Sequence, residues 1–338
     1  MNFLDDKRKR AFFLAALGVI GIIFIFVFKP TQNRWILNQG AVWNTEYHIS
    51  YFHTDDLGDS IIKVLREYEL SISPFNKESL ITRINNNESD SLDNNLIVLY
   101  NKSREVNAQT NGAFDPTLAP IINAWGFGYK NNTQPTQAAL DSMMQFVGIQ
   151  KTRMENNRLV KNDPRTEFNF SAIAKGLGVD RIGELLTRNG VENYMVEIGG
   201  EIVVKGMNSK GKNWRISIDR PTENDSIIDH NSAAIVTLKD EAIATSGNYR
   251  NFKTDATGAK YNHIIDPKTG TSAKSEVLSA TIIAKDCMTA DAYATAFMII
   301  SASERERILE SNPDMKAMII CSDSIGNYNI WTSANFEN

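Results

Sequence analysis

Cysteine and histidine are scarce in this chain, at two and four of 338 residues. So little cysteine excludes a disulfide framework, and Cys287 and Cys321 sit in no metal-type spacing. A single bond between them in an oxidising compartment stays open. A basic block after the first ten residues is also missing, and the formal net charge is −4, which argues against a nucleic-acid partner. No internal repeat or low-complexity tract is present. Asn85 to Asn95 and Asn131-Asn132 read as surface loops.

Long uncharged apolar runs are absent apart from one. Ala11 to Phe28 carries no charge and follows the cluster Lys7-Arg8-Lys9-Arg10. As a helix at ~1.5 Å per residue it spans about 27 Å, close to the ~30 Å hydrocarbon core of a bilayer. Phe28-Lys29-Pro30 follows in place of a small-x-small cleavage site, so the run reads as an uncleaved anchor. A cleaved signal peptide is the competing reading. The basic cluster holds the N-terminus in the cytoplasm. The expectation is a basic segment and transmembrane anchor over residues 1–30, single-pass in the inner membrane. Residues 31–338 then form one large domain on the periplasmic, extracytoplasmic side. No cysteine near the N-terminus offers a lipid attachment point.

Within that domain, strand and helix patterns alternate irregularly, which predicts an α+β fold. Glu46 to Phe52 alternates as a strand, and Leu57 to Leu70 and Leu92 to Gln109 have helical spacing. Gly112 to Gly128, GAFDPTLAPIINAWGFG, reads as an aromatic loop with two prolines, and residues 136 to 147 as a helix. Asn169 to Gly190 reads as a strand end feeding a helix capped by Ser171. Tyr194 to Gly206 is a hairpin about Gly199-Gly200. Glu241 to Phe252 is a strand running into a Ser-Gly turn, Leu278 to Ala284 is a strand, and Thr289 to Ile300 is a helix capped by Thr289.

Chemistry can be sought at five places. Asp291 and Thr295 are four apart on one predicted helix face and offer hard oxygen, which suits Mg²⁺ better than Zn²⁺. The start of the Ser171 helix favours an anion, with Lys175 in its first turn and no obvious carboxylate partner. Thr245-Ser246-Gly247 could line phosphate oxygens as a turn, and Gly199-Gly200 could admit a ligand closely. His263 sits in YNHIIDPKTG, where Ile264 and Ile265 read as the end of a strand and Asp266-Pro267 opens a turn that Gly270 closes. Each also has a bland reading as a cap, a plain turn or a half-buried histidine. Together they fit a nucleotide that bears a flat ring.

The sequence blocks ISPFNKESLITRIN (Ile72 to Asn85), GAFDPTLAPIINAWGFG, NFSAIAKGLGVDR, VEIGGEIVVKG, IATSGNYRNF, HIIDPKTG and TADAYATA, in this order, resemble the ApbE family of flavin transferases. The resemblance runs from about Trp43 to Ile300. That family uses FAD and Mg²⁺ to attach FMN to a protein threonine or serine. The resemblance implies a single ApbE-like domain in which Asp291, Thr295 and the carbonyl of Ala172 hold the metal. It places Trp43, Phe75, Ala113, Phe114, Asp115, Asn169 and Lys260 by the flavin and adenine. Lys175, Ser246 and Gly247 would lie near the pyrophosphate, and His263 by the reacting phosphate. The implied partners are flavin-accepting domains of membrane or periplasmic redox proteins, with FAD as substrate and AMP as leaving product. Hydrolysis of FAD to FMN and AMP, and flavin binding without turnover, are the alternatives. Two departures stand out: Asn169 replaces the family's usual aspartate, and Trp43-Asn44-Thr45 replaces the common Met-Gly-Thr.

Overall fold

The computed structural model of the chain describes residues 32–129, 135–221, 232–248, 252–254, 260–273, 275–322 and 328–336. The expected anchor lies outside these residues. Among the described residues no helix is long and apolar enough to cross a membrane.

In chain order the elements begin with β1 (Arg34–Val42), β2 (Thr45–His53), α1 (Gly58–Ile72), α2 (Leu80–Asn85) and α3 (Asn94–Gln109). A 3-10 turn (Pro116–Leu118), α4 (Ala119–Ala124), α5 (Gln137–Met144), a second 3-10 turn (Ile149–Lys151), β3 (Thr152–Glu155) and β4 (Arg158–Lys161) follow. Then come α6 (Ala174–Arg188), β5 (Tyr194–Ile198), β6 (Glu201–Lys205), β7 (Trp214–Asp219), β8 (Ser232–Leu238) and β9 (Ala242–Gly247). The chain closes with β10 (Phe252–Thr254), β11 (Lys260–Asn262), β12 (Val277–Ala284), α7 (Cys287–Phe297), α8 (Ala302–Ser311), β13 (Lys316–Ser322) and β14 (Tyr328–Thr332).

The fold is mixed α+β, as the alternating patterns predict. Its central sheet runs β1-β2-β5-β6-β9-β12-β13-β14, with antiparallel neighbours throughout. One face carries Ala244, Ala280 and Ile282 and packs on the helical layer, including Leu177 of α6 and Phe297 of α7. The other face carries Ile202, Ile243, Ile283 and Met318 and packs on the β7–β8 hairpin through Trp214, Ile216 and Ile218. Burial of such side chains contributes roughly 1.5–3 kcal/mol each, so both layers are fixed to the sheet.

The contact between α6 and α7 positions the site. A Cβ on Gly176 would stand 2.4 Å from the Cys287 carbonyl oxygen, so only glycine allows the two helices to approach this closely. Asp180 of α6 then accepts from the N–H groups of Cys287 and Met288 at 2.9 and 2.8 Å, satisfying the first turn of α7. Burial pushes the Asp180 carboxyl up from its ordinary 3.8 to about 7. Unfolded chain loses this proton near pH 4 and folded chain near pH 7, so the folded state holds the extra proton between them. Stability is therefore expected to fall as pH rises through that window and to level off above it, by about 4 kcal/mol. Thermal melting from pH 4 to 8 reads this slope. Asp180→Asn is expected to flatten it while lowering stability by about 1 kcal/mol, because one helix amide loses its acceptor. An unchanged slope in the variant assigns the pH dependence to another group.

Several local expectations are corrected by the structure. Gly112 to Gly128 is not wholly loop, since its prolines start the 3-10 turn and α4, where a missing N–H costs nothing. Ser171 does not cap its helix: its N–H is held by Asn169 Oδ1 at 2.8 Å, Phe170 to Ile173 form a turn, and α6 begins at Ala174. Asp286, not Thr289, caps α7, accepting from the Thr289 N–H at 2.8 Å. Thr245-Ser246-Gly247 belongs to strand β9 and is no turn. That strand stops at Gly247, short of Phe252. The strand before His263 stops at Asn262, and Ile265 makes only an isolated bridge to Ser272. Cys287 and Cys321 are both free thiols.

Candidate active site

One cavity of about 880 Å³ lies at the ends of β5, β6 and β9, between the sheet, α6, α7 and the loop after α3. It is lined by Phe75, Ala113, Phe114, Asp115, Asn169, Ala172, Lys175, Ser246, Gly247, His263, Asp291 and Thr295. Of the residues singled out in the sequence whose side chains are described, Trp43 is not there. Trp43 turns the β1–β2 hairpin with φ +49°, meets Tyr68 with tilted rings at 5.3 Å and covers Gly178 of α6. It lies off the cavity. Lys260 opens β11, and its side chain falls outside what the structure describes.

Each wall has a local cause. Asn85 grips the strand-like approach to the site, accepting from the Phe168 N–H at 2.7 Å and donating to its carbonyl at 2.9 Å. That places Asn169, whose own N–H donates to the Pro116 carbonyl at 2.7 Å. Asn169 spends its amide oxygen on Ser171, a structural duty for which an amide serves as well as a carboxylate. Asp115 is likewise committed: its oxygens accept from the Thr117 hydroxyl and N–H at 2.6 and 2.8 Å and from the Ile149 N–H at 3.0 Å. Burial raises its pKa. It shapes the wall formed by Ala113 and Phe114. Phe75 stands at the rim, 58% exposed, edge-on to Tyr129 at 6.3 Å.

The polar end of the cavity lies on α6 and α7. Asp291 is buried, and its Oδ2 accepts from the Gly176 N–H at 2.9 Å. In a regular helix that N–H belongs to the carbonyl of residue 172, so the Ala172 carbonyl is left outside the ladder. Thr295, one turn on from Asp291, meets the Ser246 hydroxyl at 3.1 Å. Lys175 does have a carboxylate partner, contrary to the sequence expectation: Glu201 at the start of β6, 26 residues on. Burial works against the Lys175 charge, and Glu201 and Asp291 outweigh it, so its pKa ends above the usual value. Glu201 is buried, and that burial pushes its carboxyl up to about 8 against the pull of Lys175. Its Oε2 has no hydrogen-bond partner.

Two buried carboxylates thus share one ammonium among the described residues, and burial raises the pKa of both, so the pair keeps a proton where no further positive charge is bound. A second buried negative charge needs a counter-ion, and a bound cation would take the place of that proton. Asp291, the Thr295 hydroxyl and the freed Ala172 carbonyl are hard oxygens, a donor set that fits Mg²⁺. Among the described residues there is no group of three or more His, Cys, Asp or Glu that could hold a metal ion.

His263 follows β11 directly and lines the same cavity, with Phe127 edge-on at 6.3 Å. The Asp266–Gly270 turn beneath it closes with a 2.8 Å bond from the Gly270 N–H to the Asp266 carbonyl, Gly270 at φ +68°. Trp125 Nε1 donates to the Gly270 carbonyl at 2.8 Å and fixes this turn to α4.

Glu201 and the strand β7, which also lines the cavity, went unnoticed in the sequence. The alternation Trp214, Ile216, Ile218 marks the strand. Glu201 carried no local signal, because its partner lies on a distant helix.

Comparison with known proteins places this geometry. Residues 43–319 match the ApbE family. An FAD:protein FMN transferase of Vibrio cholerae is 35% identical over 321 residues, covering 91% of this chain and 93% of its own. One from Haemophilus influenzae is 32% identical over 326 residues, with the same shares of each chain. The solved flavin transferase ApbE from Vibrio cholerae superposes with a TM-score of 0.80 at 33% identity, over 90% of this chain and 98% of that one. The apo flavinyl transferase ApbE of Pseudomonas stutzeri gives 0.78 at 25% identity, over 91% and 97%.

Proposed function

The chain belongs to the ApbE family and is a flavin transferase, and from that premise we propose that it moves FMN from FAD to a threonine or serine hydroxyl of an acceptor protein, with Mg²⁺ as cofactor and AMP as the product released. The observation that carries this reading is the buried Asp291–Lys175–Glu201 cluster, two carboxyls to one ammonium, set in one cavity with His263. Asp291, Thr295 and the Ala172 carbonyl would hold the metal, which when bound supplies Lewis-acid stabilisation of charge on the diphosphate.

The chain's own groups divide the remaining work. Phe75, Ala113 and Phe114 offer apolar surface to the ring system. Lys175 puts a positive charge beside the diphosphate, and Glu201 holds that ammonium in place. The acceptor hydroxyl oxygen bonds to the phosphorus next to riboflavin, and the bond from that phosphorus to the bridging oxygen breaks. The electron pair leaves with AMP. His263 handles the proton, taking it from the hydroxyl or giving it to the leaving phosphate.

Incubating the full chain with FAD and Mg²⁺, with and without a flavin-accepting domain, tests this. AMP release that requires the acceptor, with flavin bound covalently to it, is the expected result. AMP formed equally without acceptor would make the protein a hydrolase, and bound flavin with no AMP a carrier. We place the domain on the outer side of the inner membrane, on the strength of Lys7 to Arg10 and the uncharged run to Phe28. Protease added to cells with a permeable outer envelope is expected to digest the domain. Protection until the inner membrane is lysed would reverse this topology.

A further inference from the structure

We infer that the unpaired carboxyl oxygen of Glu201 is the seat of the acceptor hydroxyl, which donates to it and is thereby aligned on the phosphorus; this rests on the transferase reading above. Glu201 is 2% exposed, and its Oε1 accepts from the Lys175 ammonium while its Oε2 has no partner. A buried polar atom left unpaired in a native fold calls for a bound group. Of the buried side-chain nitrogens and oxygens without a partner among the described residues, this one alone belongs to a residue that lines the cavity.

Chemistry narrows what can fill the place. A carboxylate oxygen only accepts, so a diphosphate oxygen, negative and without a proton to donate, is excluded. A cation there would stand against the Lys175 ammonium, which the other oxygen of the same carboxyl already holds. A neutral donor remains, and a hydroxyl is one.

Position narrows it further. Glu201 opens β6 directly after the Gly199-Gly200 turn, and both glycines line the same cavity. Glu197 fixes that turn: its Oε1 accepts from the Gly200 N–H at 2.9 Å, and its Oε2 meets His48 Nδ1 at 2.6 Å. Gly199 and Gly200 hold φ of +60° and +95°, and a Cβ on Gly200 would meet nothing within 4 Å. The last torsion of a glutamate is soft, which lets the carboxyl turn toward a group arriving through this opening. In the proposed arrangement the rings take Phe75, Ala113 and Phe114 and the diphosphate takes Lys175, so the space beside the turn is left for the acceptor. Lys175 links the two: a hydroxyl on Oε2 stands next to the ammonium that touches the reacting phosphate, which is where attack needs it. As its oxygen bonds to the phosphorus and the electron pair leaves with AMP, the hydroxyl proton has Oε2 as its nearest acceptor. His263 then keeps the second of its two tasks, the leaving phosphate.

Four binding measurements test this. The full chain and its Glu201→Ala variant are saturated with Mg²⁺ and with an FAD analogue whose bridging oxygen is a methylene group, which cannot release AMP. Each is titrated with a flavin-accepting domain and with the same domain carrying valine for its target threonine. Valine keeps the shape of threonine and removes the hydroxyl. It is expected to weaken binding to the unaltered chain by about tenfold or more, the worth of a hydrogen bond to a charged group, and to the alanine variant by less than about twofold. Equal binding of both domains to the unaltered chain would overturn the assignment with no variant needed. An equal valine loss in both chains would overturn it too and return Oε2 to the nucleotide. Asp291 remains to balance Lys175 in the alanine variant, and thermal melting checks its fold. Glu201→Gln, which keeps an amide oxygen for Lys175, is the second variant. There the valine penalty is expected to shrink to about threefold, that of an uncharged hydrogen bond, and an undiminished penalty overturns the assignment equally. Failure of the unaltered domain to become flavinylated with FAD itself is a separate readout. It would sink the transferase reading, and this inference with it.

Discussion

Asp291→Ala is expected to lower Mg²⁺-dependent transfer by about 10³-fold or more, while FAD binding weakens far less. Stabilisation of a transferring phosphoryl group by a bound cation is worth several kcal/mol, and each 1.36 kcal/mol is a factor of ten in rate. The ring system lies against Phe75, Ala113 and Phe114 in the proposed arrangement, so most of its contacts survive the change. Alanine does two things at once, however. It removes the charge, and it strands the Gly176 N–H that Asp291 Oδ2 now accepts at 2.9 Å. Stranding a buried amide costs about 1–3 kcal/mol of stability. Asp291→Asn separates the two effects, since its amide oxygen can still accept from Gly176. Both variants are expected to lose transfer, and only the alanine to melt markedly lower. An asparagine variant that keeps more than about a tenth of the wild-type rate would remove α7 from the mechanism.

The pattern of the chain made the helical layer and its site legible to different degrees. Asp291 and Thr295 could be paired on one face because a helix repeats locally, and the structure seats both on the cavity. The same local logic failed at helix starts. Ser171 and Thr289 looked like caps by residue type, yet each is a donor instead, its own N–H held by Asn169 or Asp286. Several residues can bid for one orphan N–H, and only the folded backbone decides between them. Trp43 shows a second limit. It stands where the family commonly has Met-Gly-Thr, and a positive φ in a tight hairpin sends the indole toward Tyr68 and Gly178. Glu201 shows the third. It faces Lys175 across a sheet-to-helix contact, and no spacing rule reaches that far. That one unseen carboxylate changes the electrostatics of the site. Without it Lys175 would pair with Asp291 alone, and no second carboxyl would be there to give up a proton when a cation binds.

His263→Ala is expected to lower turnover by about 10²–10⁴-fold, the usual worth of a placed acid or base. FAD affinity should change much less, because the imidazole is not required to hold the ring system. The position is rigid on one side only: β11 ends one residue earlier, and the Asp266–Gly270 turn begins three residues later. Removing the ring also removes its edge contact with Phe127, so a fall in activity could come from a shifted loop. His263→Gln answers that, since it retains bulk and hydrogen-bonding capacity but cannot exchange a proton near neutral pH. If His263 moves a proton, glutamine and alanine lose similar amounts of kcat, and both lose an ionisation that the wild-type rate profile carries. If it only supports the loop, glutamine recovers most of the rate and the profile keeps its shape. Thermal melting checks that each variant is folded, and KM for FAD shows whether the nucleotide still seats. A folded glutamine variant with more than about a tenth of the wild-type kcat leaves the proton to another group on the same cavity. Glu201 is the foremost candidate, since its Oε2 is buried without a partner and its carboxyl is pushed up to about 8, close to where a base must work.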